Sequence, residues 1–314
     1  MFKQLLLAGA AMGLIGAASL GAAAAKDLNA IGITLGSMGN PFFVALAAGA
    51  EAKAKEINPN VTVNTADANY DLNKQFNQID NFIASGVDMI LLNAADAKAI
   101  APAVKRAQAA GIVVVAVDVA AAGVDATVQT NNVQAGQIAC QYIADKLGAE
   151  GGNVIIQNGP QVGAVIDRVQ GCKEVLAKNP KIVILSDDQD GKGNREGGMN
   201  VMQGHLTRYD DIDAVFTIND PQAIGSDLAA KQLGRSGIVI ASVDGAPDIE
   251  GAIAGNTLVE ASASQDPWAM AQKAVEVGYQ IMNGEQPAEP MILMPSSLIT
   301  KDNVKDYKGW SAPR

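Results

Sequence analysis

The chain is 314 residues long, with 33 acidic against 23 basic side chains and a net charge of −10. That balance argues against nucleic acid or an anionic membrane surface as a partner, since both need basic patches. One histidine and two cysteines without C-x-x-C spacing argue against a metal site, and nothing in the sequence calls for a cofactor.

Residues 1–25 read as a secretory signal. Lys3 supplies the positive start, residues 5–20 are apolar, and Ala23-Ala24-Ala25 is an A-x-A site, so cleavage is expected before Lys26. No cysteine follows the cleavage point. The mature chain is therefore expected to be free in the periplasm, without a lipid anchor.

After the signal, short apolar strands alternate with helix-length amphipathic segments, the pattern of parallel sheets covered on both faces. Strands are expected at 30–35, 61–66, 89–93, 113–117, 154–158, 182–186, 214–218, 238–243, 258–262 and 291–294. Helices are expected at 41–56, 72–84, 97–109, 133–147, 163–178, 194–206, 221–233, 247–254 and 267–283. Ten strands exceed one open sheet of about four to six, so two sheets are expected. The Gly- and Ala-rich stretch 122–130 reads as the connection between them. Cys140 and Cys172 lie in two of the predicted helices, and a disulfide between them suits an oxidising compartment.

The stretch 34–43 ends a strand, turns on Gly36 and Gly39, and opens a helix with Asn40-Pro41-Phe42-Phe43. Asn40 suits an N-cap or a ligand contact, and proline suits the first helical position. Adjacent helical residues point about 100° apart, so one of Phe42 and Phe43 is expected in the core and the other in a cleft. Polar residues recur where strands end: Asp118, Asn219-Asp220, Asp244 and Gln265, with Arg168 one turn into a helix. Strand ends of a parallel sheet point the same way, so these can converge on one crevice. Carboxylates, amides and a guanidinium together suit a polyhydroxylated ligand. Gly191-Lys192-Gly193-Asn194 lacks the spacing of a phosphate loop and reads as a solvent loop. A sugar-active enzyme remains open at this point; with one histidine, the chain has no Ser/His/Asp set to support it.

On Asn40-Pro41-Phe42-Phe43, Val117-Asp118, Arg168-Val169-Gln170-Gly171, Ile218-Asn219-Asp220, Asp244-Gly245-Ala246-Pro247 and Gln265-Asp266-Pro267, the chain resembles periplasmic sugar-binding proteins of ABC importers, the ribose-binding branch, over essentially the whole mature length. The resemblance implies the type I periplasmic binding protein fold: two doubly wound parallel-sheet α/β domains joined by a three-crossing hinge. It divides the chain into an N-terminal domain of 26–130 plus 264–292 and a C-terminal domain of 131–263 plus 293–314. It implies ligand contacts from Asn40, Phe42, Phe43, Asp118, Arg168, Asn219, Asp244 and Gln265, no catalytic residue, and a monomer that delivers its ligand to a membrane permease. A chemoreceptor is the alternative reader of the closed form. Val119, Val243 and Gly193 stand where ribose binders place an arginine and two aromatics. The expected ligand is therefore a monosaccharide of the pentose kind or a sugar alcohol rather than D-ribose in particular.

Overall fold

In the computed structural model the described residues are 26–310, and the expected signal at 1–25 lies outside them. The first domain is built on the strands β1 (Ala30–Leu35), β2 (Thr62–Asp67), β3 (Met89–Leu92), β4 (Val113–Val117) and β5 (Ala126–Thr130), joined late in the chain by β11 (Met291–Met294). Its sheet order is β11-β5-β4-β3-β1-β2, and every neighbouring pair is parallel. The second domain holds β6 (Gly152–Gln157), β7 (Ile182–Ser186), β8 (Ala214–Thr217), β9 (Val239–Asp244), β10 (Val259–Ser264) and β12 (Ser297–Thr300). Its order is β12-β10-β9-β8-β6-β7, with β12 antiparallel at one edge. All four residues of β3 are buried, as expected of a strand covered on both faces.

Around the first sheet lie α1 (Pro41–Ile57), α2 (Leu72–Ala84), α3 (Ala101–Ala109) and α9 (Pro267–Met282). Around the second lie α4 (Asn132–Leu147), α5 (Gly163–Leu176), α6 (Arg195–Arg208), α7 (Asp220–Gln232) and α8 (Pro247–Ala254). The helix expected from 97 begins at Ala101 instead. Asp96 Oδ1 accepts from the amides of Lys98 and Ala99, which holds 97–100 as turns, and Pro102 then suits the first helical turn.

The chain passes between the domains three times: after β5, after β10, and between β11 and β12. Three details differ from the sequence reading. Stretch 122–130 ends in a true strand, β5, because its Ala, Thr and Val pair with β4 on one side and β11 on the other. Leu293 and Met294 stay in the first sheet opposite Gln129 and Thr130, so the last crossing follows Met294 rather than 292. The end of the chain also returns to the first domain, where Trp310 is buried in the same apolar cluster as Phe42.

Two glycines set how closely α4 and α5 pack. A Cβ on Gly136 would collide with the backbone carbonyl of Arg168, and one on Gly171 with that of Val133. This close approach fixes the helix that carries Arg168. Cys140 of α4 and Cys172 of α5 face each other across the same contact with Cα atoms 5.0 Å apart and their sulfurs joined. Protein purified from an oxidising compartment should show no free thiol on denaturation. Reduction should lower the unfolding midpoint, a loop of 32 residues being worth about 4 kcal/mol in the chain-entropy model. Two titratable thiols would refute the bridge.

Candidate functional site

Most of the site residues sit where an element starts or ends, and Arg168 lies one turn into α5. Asn40 is the N-cap of α1: its side chain accepts from the Phe42 amide at 2.9 Å, satisfying a helix-start donor that has no internal partner. Asn219 caps α7 in the same way, accepting from Gln222 at 3.2 Å, and its amide donates to the Gly193 carbonyl at 2.9 Å. Asp118 follows β4 with φ 69°, and Asp244 closes β9 with φ 139°. Positive φ is costly for a residue with a Cβ and is held only where the surroundings enforce it, which happens most often at functional sites. Here it occurs at matching places on the two sheets.

Arg168 is the centre of the second domain's half. Its side chain is 8% exposed. Nε donates to Asn132 Oδ1 at 2.9 Å, and Nη1 donates to the Ile218 carbonyl at 2.8 Å and to Asp244 Oδ1 at 3.0 Å. Nη2 has no protein acceptor among the described residues and is not among their sealed, unpartnered atoms. It is therefore left to solvent or a ligand. Asp244 Oδ1 also accepts from Gln265 Nε2 at 2.8 Å, while Gln265 Oε1 accepts from Thr130 Oγ1 at 2.7 Å. Gln265 thus ties the end of a first-domain strand to the end of a second-domain strand, beside a crossing.

Across from this set, Asn93 donates from Nδ2 to Asp118 Oδ2 at 3.0 Å and to the Val117 carbonyl at 3.2 Å. Tyr70, 60% exposed, lies near the Asn40 side chain and feels the Asp118 charge; partial desolvation of its hydroxyl together with that charge raises its phenol. Burial pushes Asp118 up to about 6, against the pull of Arg168. Burial also raises Asp244, with Arg168 and Gln265 holding it down. Asp220 goes up to about 8, driven by burial and by the neighbouring Asp244. It is sealed by Ser242 at 2.5 Å, Ser262 at 2.7 Å and the Ala246 amide at 2.8 Å. It ties the ends of β9 and β10 to the start of α8.

Between the domains is a cavity of about 470 Å³. Asn40, Pro41 and Trp310 line one wall, and Gly193, Asn219 and Asp244 line the other. Asn40, Asn219 and Asp244 therefore share a wall-to-wall space, with Arg168 and Gln265 bonded behind Asp244 and Asp118 within electrostatic reach of both. The loop read as a solvent loop contributes Gly193 to the wall. The aromatics differ from expectation, because both are buried, Phe42 at 6% and Phe43 at 5% exposed. Trp310 covers Phe42 edge-on at 5.2 Å, and Tyr70 meets Phe43 edge-on at 6.3 Å. The outward aromatic of the first domain is Tyr70. Sequence reading passed over it, together with Asn93, Asn132, Thr130 and Trp310. An asparagine ending a strand at 93 was the one usable signal among them.

Residues 31–286 match the family model described as a periplasmic binding protein domain. The chain belongs to that family. Among curated relatives, the ribose import binding protein of Salmonella typhimurium is 33% identical over 267 residues, 84% of this chain and 88% of its own. The xylitol-binding protein of Mycolicibacterium smegmatis is 33% identical over 298 residues, 93% of this chain and 83% of its own. Among solved structures, an ABC transporter periplasmic solute-binding protein from Actinobacillus succinogenes with bound D-allose aligns with a TM-score of 0.79 at 26% identity. That alignment covers 89% of this chain and 100% of the other.

Proposed function

We propose that the protein is the solute receptor of an ABC importer and captures a monosaccharide of the pentose kind, or a sugar alcohol, in the interdomain cleft. One observation carries the reading. Two strand-end aspartates with strained backbones, one from each sheet, lie near a single buried guanidinium, Asp244 bonded to it and Asp118 within its electrostatic reach, and its Nη2 has no protein acceptor among the described residues. Carboxylates accept from ring hydroxyls and the guanidinium donates to them. Polyol-binding relatives support the ligand class. A ligand that touches both walls favours the closed arrangement by its differential affinity for it. The closed pair of domains is the form a permease, or a chemoreceptor, would read.

In this reading the cleft holds and releases its ligand unchanged, the protein acts as a monomer, and the leader at 1–25 is cleaved on export to the periplasm. A thermal-shift screen of the purified mature protein over pentoses, hexoses, cyclitols and linear polyols tests it. At 100 times the dissociation constant a ligand adds about 2.7 kcal/mol, a rise of several degrees for a chain of this size. A flat response over the whole panel, or turnover of any of its members, would refute the reading.

A further inference from the structure

The charges at the cleft do not balance. Asp244 lines it, Asp118 lies within electrostatic reach of Asp244 and Arg168, and Arg168 is the one cation bonded to either carboxylate among the described residues. The other arginine at the mouth, Arg195, is paired with Asp248 at 2.9 Å and both are exposed. Asp220 is enclosed by its two serines and the Ala246 amide and adds no positive charge. The guanidinium makes its charged contact with Asp244 alone, its remaining bonds going to Asn132 and the Ile218 carbonyl. Among the described residues Asp118 receives only the neutral amide of Asn93, on Oδ2. Its Oδ1 has no protein donor among the described residues and is not sealed off.

Closing the cleft strips water from a carboxylate that has no counter-charge in contact, which is unfavourable unless the ligand supplies one. A ring hydroxyl supplies a single neutral donor. An ammonium supplies three donors and the missing charge, adding an ion pair to the hydrogen bond that a hydroxyl would make to the same carboxylate. Tyr70, the exposed aromatic beside Asp118, adds a ring toward which a cation is attracted.

Resting on the proposed reading of the cleft as a polyol site, we infer that its preferred ligand carries a cationic amino group, as an amino sugar or an aminocyclitol does, with the ammonium on Asp118. The charged and titratable groups around that position are Arg168 and Asp244 from the second domain and Tyr70 from the first. Ligand charge and not ring size is then the main discriminator.

Calorimetric titration of the mature protein at pH 7.5 with matched pairs tests this: glucose against glucosamine, galactose against galactosamine, and a cyclitol against its amino derivative. The amino member of at least one pair should bind at least tenfold more tightly than its hydroxyl twin. Asp118→Asn should bring that ratio to about one, and circular dichroism should show the variant folded. Neutral members that bind as well as or better than their amino twins overturn the inference while leaving the polyol reading intact. A preference for the amine that survives Asp118→Asn also overturns it, because the ammonium then sits elsewhere. If no member of any pair, nor any other polyol, binds, the underlying reading fails and the inference with it.

Discussion

Arg168→Ala is expected to abolish measurable ligand binding while the protein still folds. The guanidinium is the donor that the cleft keeps free at Nη2, and it is the counter-charge that lets Asp244 stand at the wall. Truncating one member of such a pair costs about 2–5 kcal/mol of affinity, part of it the penalty of leaving the other charge unpaired. That corresponds to roughly thirty- to several-thousand-fold. Arg168→Lys should not restore binding, because a lysine cannot hold Asn132, the Ile218 carbonyl and Asp244 in one planar fork. Calorimetry on a ligand established for the wild type, with circular dichroism as the folding control, decides the matter. Unchanged affinity in a folded Arg168→Ala protein would remove Arg168 from the site.

Asp220→Ala is expected to cost stability rather than specificity, by about 3–5 kcal/mol. The change strands the hydroxyls of Ser242 and Ser262 and the Ala246 amide in a buried place, and each unsatisfied group costs about 1–3 kcal/mol. Asp220→Asn keeps an acceptor oxygen and should recover most of the loss. The two variants also separate by pH. The Asp220 carboxyl is raised to about 8, above an unfolded value of about 4, so the folded protein holds a proton that the unfolded chain gives up. Its contribution is full below about pH 4 and is lost as pH rises through about 8. The wild-type melting temperature should therefore fall between pH 7 and 9, and that of Asp220→Asn should fall less. Parallel curves for the two proteins would show that Asp220 does not titrate in this way.

Much of the architecture was legible because buried parallel strands are runs of apolar residues and their helices announce themselves with caps. β3 and β4 are such runs, and Asn40, Asn219 and Asp266 are the N-caps of α1, α7 and α9. The strand-end aspartates were legible for the same reason: a carboxylate directly after the buried Val117 or Val243 marks where each apolar run ends. β5 and β12 were not, because Ala-Thr-Val-Gln-Thr and Ser-Leu-Ile-Thr carry too little apolar signal alone and are strands by virtue of their neighbours. The same limit hid Asn93, Asn132 and Trp310. Asn132 matters through a bond to a residue 36 positions away, and Trp310 through a bond to the Gln265 carbonyl 45 positions away. The expectation that one of Phe42 and Phe43 faces the cleft fails for this reason at Phe42, which Trp310 covers. No local pattern says that the end of the chain comes back to cover it.

The central claim is that one ligand is held between two domains that close on it. Small-angle scattering on the purified protein, with and without a saturating ligand identified by the thermal screen, measures this directly. The radius of gyration should fall on ligand addition, because Asn40 and Asp118 lie on one domain and Arg168, Asn219 and Asp244 on the other. Asp244→Ala should stay at the unliganded value at the same ligand concentration. A wild-type radius that does not change when calorimetry shows the site to be full would contradict the account.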